Sequence, residues 1–314
     1  MKTYVVGIIA AFGASLLFLL ILLPLLRRLK AGQYILGYVK EHKDKGGTPT
    51  MGGLAFITAI IIVGLCLAGI NDSKANLTFA ITAGYTVVGF LDDFLKIYRK
   101  ENEGLKPYQK ILFQLAIAAI AAVYCYLNEI VYLYVPFGGG LKVYVGWGII
   151  PLVLFVFLAC VNCVNLTDGL DGLAGGTSLA YLLLFGFMLS VQQCNQAVLC
   201  FVAVGALAAF LIFNANKASI FMGDTGSLAL GGFISCISVF TENMLYIPLL
   251  GIMFVISGIS VILQVIYYKR TRRRIFLMAP LHHHFQMKGY TECKITYAYV
   301  TITALIGMIC LLFV

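Results

Sequence analysis

Five aspartates stand at the margins of apolar runs in this chain: Asp92, Asp93, Asp168, Asp171 and Asp224. An ionised carboxylate set into hydrocarbon costs about 2.5–3.5 kcal/mol on insertion scales, so such groups are functional by default. Asp92 and Asp93 are adjacent, and neighbouring carboxylates repel unless a cation lies close by. Hard oxygen donors of this kind suit Mg²⁺ held jointly with substrate phosphates. Asp92 also stands i,i+4 from Lys96, and a solvated helix end with an ordinary ion pair is the plainer account of these two residues alone.

Four further clusters carry polar chemistry. Asn165 through Gly176 is glycine-rich and holds Asp168 and Asp171, three apart, able to share a helical face or bracket one ligand. Its glycines permit close backbone approach and anion-binding turns; a turn with two capping aspartates is the bland alternative. The stretch from Asn214 to Ser227 holds Phe221 and Asp224 and offers exposed amides just before an apolar run, a setting that favours phosphate oxygens. Pro280-Leu281-His282-His283-His284-Phe285 has no cysteine or second histidine group to complete a zinc site, since the remaining histidine is His42. Imidazoles that titrate near neutrality fit phosphate binding or proton transfer better. Lys45 through Gly53, with Thr50, opens another apolar run. The sequence has no G-x-x-x-x-G-K-[ST], G-x-S-x-G or H-E-x-x-H, which excludes a P-loop nucleotidase, and no EF-hand pattern.

The elements that must position these clusters are membrane helices. Of 314 residues, 61% are hydrophobic and 11% charged, and mean hydropathy is +0.96. Apolar runs of the length needed to cross about 30 Å of hydrocarbon predict ten spans, near 4–26, 51–70, 76–95, 111–127, 148–164, 173–191, 197–213, 226–241, 245–267 and 294–314. The predicted fold is an all-α polytopic membrane protein, one domain over 1–314. All 22 basic residues except Lys2, Lys74, Lys142 and Lys294 fall on the odd-numbered loops. Those loops are therefore expected on the cytoplasmic side, with both termini outward, and all five aspartates go with them. The one-sided charge also attracts anionic membrane lipids, and an arginine run at 270–274 extends it. No aromatic-interleaved basic groove is present, so nucleic acid is not an expected partner. Two β-rich runs, 131–135 and 141–145, flank a glycine-rich turn and predict a small outward-facing hairpin. Nine scattered cysteines, including Cys160-x-x-Cys163, read as buried packing.

These clusters, in this order, resemble the polyprenyl-phosphate N-acetylhexosamine-1-phosphate transferases. The histidine run after Pro280-Leu281, with the Lys45–Gly53 patch, resembles the phospho-N-acetylmuramoyl-pentapeptide transferase branch, over essentially the whole chain. That resemblance implies transfer of phospho-MurNAc-pentapeptide from UDP-MurNAc-pentapeptide to undecaprenyl phosphate, giving lipid I and UMP, at the bacterial inner membrane. It implies Mg²⁺ on Asp224, with Asp92 and Asp93 as base or nucleophile and metal-orienting groups, and phosphate charge neutralised by Lys96 and Lys110. Asn165, Asp168 and Asp171 would line the uridine and diphosphate pocket. Asn214 and His283, with His282 and His284, would complete its diphosphate side. Phe221 would stack on uracil, and Lys45 and Thr50 would frame the entrance. A homodimer is a further implication. The sequence departs from the family pattern at Lys217, often Pro, and Gln286, often Glu. Direct attack by the lipid phosphate is favoured over a phospho-enzyme, because that phosphate is already largely ionised at neutral pH. The rival readings are the same chemistry on UDP-GlcNAc and, from another class, ion-coupled transport, which places its carboxylates near the bilayer midplane.

Overall fold

The computed structural model describes residues 1–29, 47–68, 71–101 and 103–313. Its long helices are α1 (Lys2–Arg28), α2 (Gly53–Ala68), α3 (Ser73–Arg99), α4 (Pro107–Leu127), α5 (Ile149–Thr167), α6 (Leu173–Val191), α7 (Ala197–Asn214) and α8 (Gly223–Phe240). A short α9 (Ile247–Leu250) precedes α10 (Ile252–Thr271), and α11 (Leu281–Met287) precedes α12 (Glu292–Leu311). Eight of these, all but α2, α3, α9 and α11, are long and apolar enough to cross a membrane. The chain is a multi-pass, all-α membrane protein. Helices α2, with 16 residues, and α3, with 27, fill the second and third expected positions. Charge at both ends of α3 (Lys74; Asp92, Asp93, Lys96, Arg99) distinguishes it from the apolar spans.

Several helix ends shift by a few residues from expectation, and two differences stand out. The ninth run is broken at Gly251, where α9 ends and α10 begins. The eighth starts three residues early, at Gly223, so Asp224 lies in the first turn of α8 rather than in the loop before it. The hairpin is present as β1 (Tyr132–Tyr134) against β2 (Lys142–Tyr144), with Leu133 opposite Val143.

Helix α8 is the hub. It packs on α3, α5 and α2, and almost all of it is enclosed. Contacts among the loops sort by parity. At one end Tyr4 stacks on Phe201, Asp72 meets Gln196, the hairpin reaches Glu242, and Phe137 meets Phe313. At the other end the 49–53 segment pairs with 221–222, and α3 meets the start of α8. All the odd-loop clusters described here gather at that second end.

Candidate active site

The site begins with a close approach of two helices. Gly89 lies one turn before Asp92-Asp93 on α3, and a Cβ there would collide with the Asp224 carbonyl. That gap lets Asp93 reach the first turn of α8. Its Oδ1 accepts from Asp224 N (3.2 Å), and its Oδ2 accepts from Thr225 N (2.9 Å) and Thr225 Oγ1 (2.6 Å). These amides are donors that the helix itself leaves unpaired, at its positive end. A carboxylate from α3 thus caps α8. Gly223 takes φ +71° against Asp93, and Thr50 Oγ1 lies 2.6 Å from where its Cβ would be. A side chain at 223 would be both strained and blocked.

Asp92, Asp93 and Asp224 each offer one oxygen within 4.8 Å of the others. Two ammonium groups face them. Lys96 Nζ is 2.6 Å from Asp92 Oδ2 and 2.9 Å from Asp224 Oδ2; Lys110 Nζ is 2.6 Å from Asp224 Oδ2 and 3.8 Å from Asp92 Oδ2. Asn165 Nδ2 donates to the other Asp224 oxygen at 2.6 Å and to Ser227 Oγ at 2.8 Å. Leu105 N donates to Asp92 Oδ1 at 2.9 Å, fixing the loop that leads to α4. Buried charges stay in a fold only when paired; here three acids and two bases from α3, α4 and α8 neutralise one another incompletely.

Asp168 follows α5 and is partly buried. Burial first, then the charges of Asp224, Asp93 and Asp171, pushes its carboxyl up to about 8. Asp171 Oδ2 accepts from Ala218 N at 2.9 Å, tying the α6 entrance to the loop after α7. Asn214 accepts from Gly172 N at 3.1 Å and donates to Ile220 O at 2.9 Å. Both side chains hold loops at this end of the bundle. Phe221 pairs through its backbone with Pro49 and Gly52, and its ring is half-buried.

The histidines, on α11, point three ways. His282 is fully buried against Gly169 and Tyr299, neither ring nitrogen has a hydrogen-bond partner, and burial holds it well below the usual imidazole range. His283 also borders Gly169, and its Nδ1 is 3.0 Å from Gln286 Oε1. His284 Nδ1 accepts from Leu277 N at 3.1 Å. Lys45 lies outside the described residues.

Gln286, noted in the sequence only as a departure from the family pattern, lies 3.0 Å from His283 Nδ1, and Glu292, which the sequence reading missed, accepts from Asp171 N (3.1 Å) and from Gln286 Nε2 (3.4 Å). The signal available for Glu292 was an acid opening the last apolar run, as Asp224 opens the eighth.

Residues 75–242 match the model of glycosyl transferase family 4. A phospho-N-acetylmuramoyl-pentapeptide-transferase of Geobacillus kaustophilus is 42% identical, covering 96% of each chain. The chain belongs to that transferase family. Proteins of the same name from Clostridioides difficile (41% identical; 92% of this chain, 91% of its own) and Bacillus subtilis (42%; 92% and 90%) agree. The chain is therefore a transferase, and ion-coupled transport is set aside.

Proposed function

We propose that this transferase moves phospho-MurNAc-pentapeptide from UDP-MurNAc-pentapeptide to undecaprenyl phosphate, releasing UMP and forming lipid I for peptidoglycan. The observation that carries the reading is the convergence of Asp92, Asp93 and Asp224 within 4.8 Å beside Lys96 and Lys110, at one end of the bundle. A cytosolic polyanion and a lipid phosphate can meet only at such a surface. The positive-inside rule assigns that surface to the cytoplasm: Arg27, Arg28, Arg99 and the 269–274 run share it, leaving both termini outward. The whole of 1–314 acts as one domain, since α1, α2, α10 and α12 outside the matched stretch pack onto it.

The donor set fits Mg²⁺: three carboxylates from two helices supply hard oxygen ligands, and substrate phosphates would supply the rest. When bound, the ion supplies Lewis-acid stabilisation of diphosphate charge. The remaining work belongs to the chain. Lys96 and Lys110 neutralise phosphate oxygens, and Asn165 fixes the orientation of Asp224. Asp92 Oδ2, facing both ammonium groups, receives or orients the lipid phosphate proton. Asp93 keeps α8 in register. Asp168, with Asp171 and Asn214 holding the loops behind it, lines the nucleotide side with Phe221, Thr50 and Lys45. His283, flanked by His282 and His284, hydrogen-bonds the diphosphate. In-line attack by the lipid phosphate then needs positioning more than a strong base.

The test is UMP release by purified enzyme with Mg²⁺ and both substrates. UDP-GlcNAc should be inert in place of the muramoyl donor; turnover on it would reassign the substrate. UMP release with a trapped phospho-enzyme, in the absence of lipid, would replace direct attack by a covalent route.

A further inference from the structure

One turn beneath the acidic triad lies a polar contact that the transfer chemistry does not itself use. Gln114 on α4 and Asn162 on α5 pair through their amides: Asn162 Nδ2 donates to Gln114 Oε1 at 2.7 Å, and Gln114 Nε2 lies 3.5 Å from Asn162 Oδ1. Gln114 is buried, and Asn162 also donates to Leu158 O at 2.8 Å. From α3, Tyr85 OH donates to the Gln114 carbonyl at 3.0 Å. The Tyr85 ring lies over Gly232 of α8, and Gly231 rests against Val161 of α5. The four helices that deliver the site residues therefore meet in one layer.

The register of that layer matters. Gln114 is four residues after Lys110, and Asn162 three before Asn165, so they lie about 6 Å and about 4.5 Å along their helices from groups that touch Asp224. Amides inside an apolar bundle have no water as an alternative partner, and a reciprocal pair tolerates neither a slide nor a rotation of one helix against the other. We propose that the Gln114–Asn162 pair is a positioning element for the transfer reaction: it sets the height and rotation of α4 and α5 so that Lys110 and Asn165 converge on Asp224. This rests on the reading of Asp224, Lys110 and Asn165 as the transfer site.

The experiment compares steady-state UMP release and thermal unfolding of the full-length enzyme in lipid nanodiscs. Gln114→Leu and Asn162→Leu should each lower kcat about 10- to 100-fold, with both KM values within about threefold of wild type, as expected for sub-ångström misplacement. The double variant should be no worse than the poorer single one, because both remove the same element. The exchange Gln114→Asn with Asn162→Gln should recover about tenfold over the singles. Losses that multiply, or kcat within about twofold of wild type in either single variant, would overturn the proposal. If the leucine variants do not purify folded, Gln114→Met and Asn162→Ser replace them under the same criteria. Asp224→Asn is run in parallel. Turnover by that variant sinks the site assignment itself, whereas its inactivity beside wild-type kcat in the pair variants sinks only the positioning role.

Discussion

Each end of the bundle holds a lysine 2.6 Å from a carboxylate: Lys110 with Asp224 at one end, Lys142 with Glu242 at the other. The distances match, yet the surroundings do not. Lys142 is 40% exposed and belongs to a hairpin, while Lys110 is 17% exposed and shares its acid with Lys96 and Asn165. An exposed pair contributes about 0–1 kcal/mol. A buried network does not justify itself by stability, because desolvation offsets most of the attraction. What separates the two ends is that the first gathers three acids and two bases from three helices, α3, α4 and α8, whereas the second holds a single pair. The separation between a fastening and a functional site is therefore read from enclosure and convergence, not from ion-pair length.

That contrast can be broken in four places, in decreasing order of effect. Asp224→Asn should reduce UMP release by about 10³-fold, the scale of losing a main electrostatic group in a preorganised site, and chelation of Mg²⁺ should do the same to wild type. Retained turnover in either case would remove the functional half of the contrast. Lys110→Met leaves Lys96 paired with both Asp92 and Asp224, so it should lower stability by less than the ~3 kcal/mol of a fully stranded buried charge while depressing kcat/KM; chemical unfolding and initial rates read the two effects.

A smaller effect concerns Asp168. Its folded value of about 8 lies above the ordinary 3.8. Between those limits the folded state holds more protons than the unfolded one, so stability falls as pH rises from about 4 to about 8. The slope should stay below the ~1.4 kcal/mol per pH unit of one fully linked proton. Melting curves in EDTA should show this fall in wild type and a shallower one in Asp168→Asn. The smallest effect is expected at the far end: Lys142→Met should change stability by less than about 1 kcal/mol and leave kcat unaltered. A catalytic defect there would erase the distinction.

The helical spans were legible because hydrocarbon demands long apolar runs, and the hairpin because β-branched and tyrosine residues flank its glycines. The Asp92–Lys96 pair followed from helical spacing alone. The start of α8 was not legible. Gly223-Asp224-Thr225-Gly226 has the composition of a turn, and it becomes helix because Asp93, 131 residues earlier, satisfies the amide of Asp224. For Asp171 and Asn214 the residue types were legible, whereas their partners Ala218, Gly172 and Ile220 are set by loop packing that local sequence does not encode. Gln114 and Asn162 left a weaker trace: amides in otherwise apolar spans, with no spacing rule to say that they meet.

Helix α8 has one more consequence. It is the least apolar of the eight candidate spans and the most enclosed, so it gains little by partitioning into lipid on its own. Its entry into the bilayer must be coupled to docking in a slot already shaped by its neighbours. Transplanted alone into a reporter protein, it should insert poorly, whereas α1 should insert well. The strand of chain bearing the central aspartate thus reaches the membrane interior as a guest of its partners, and biogenesis delivers the acidic group only into company that can receive it.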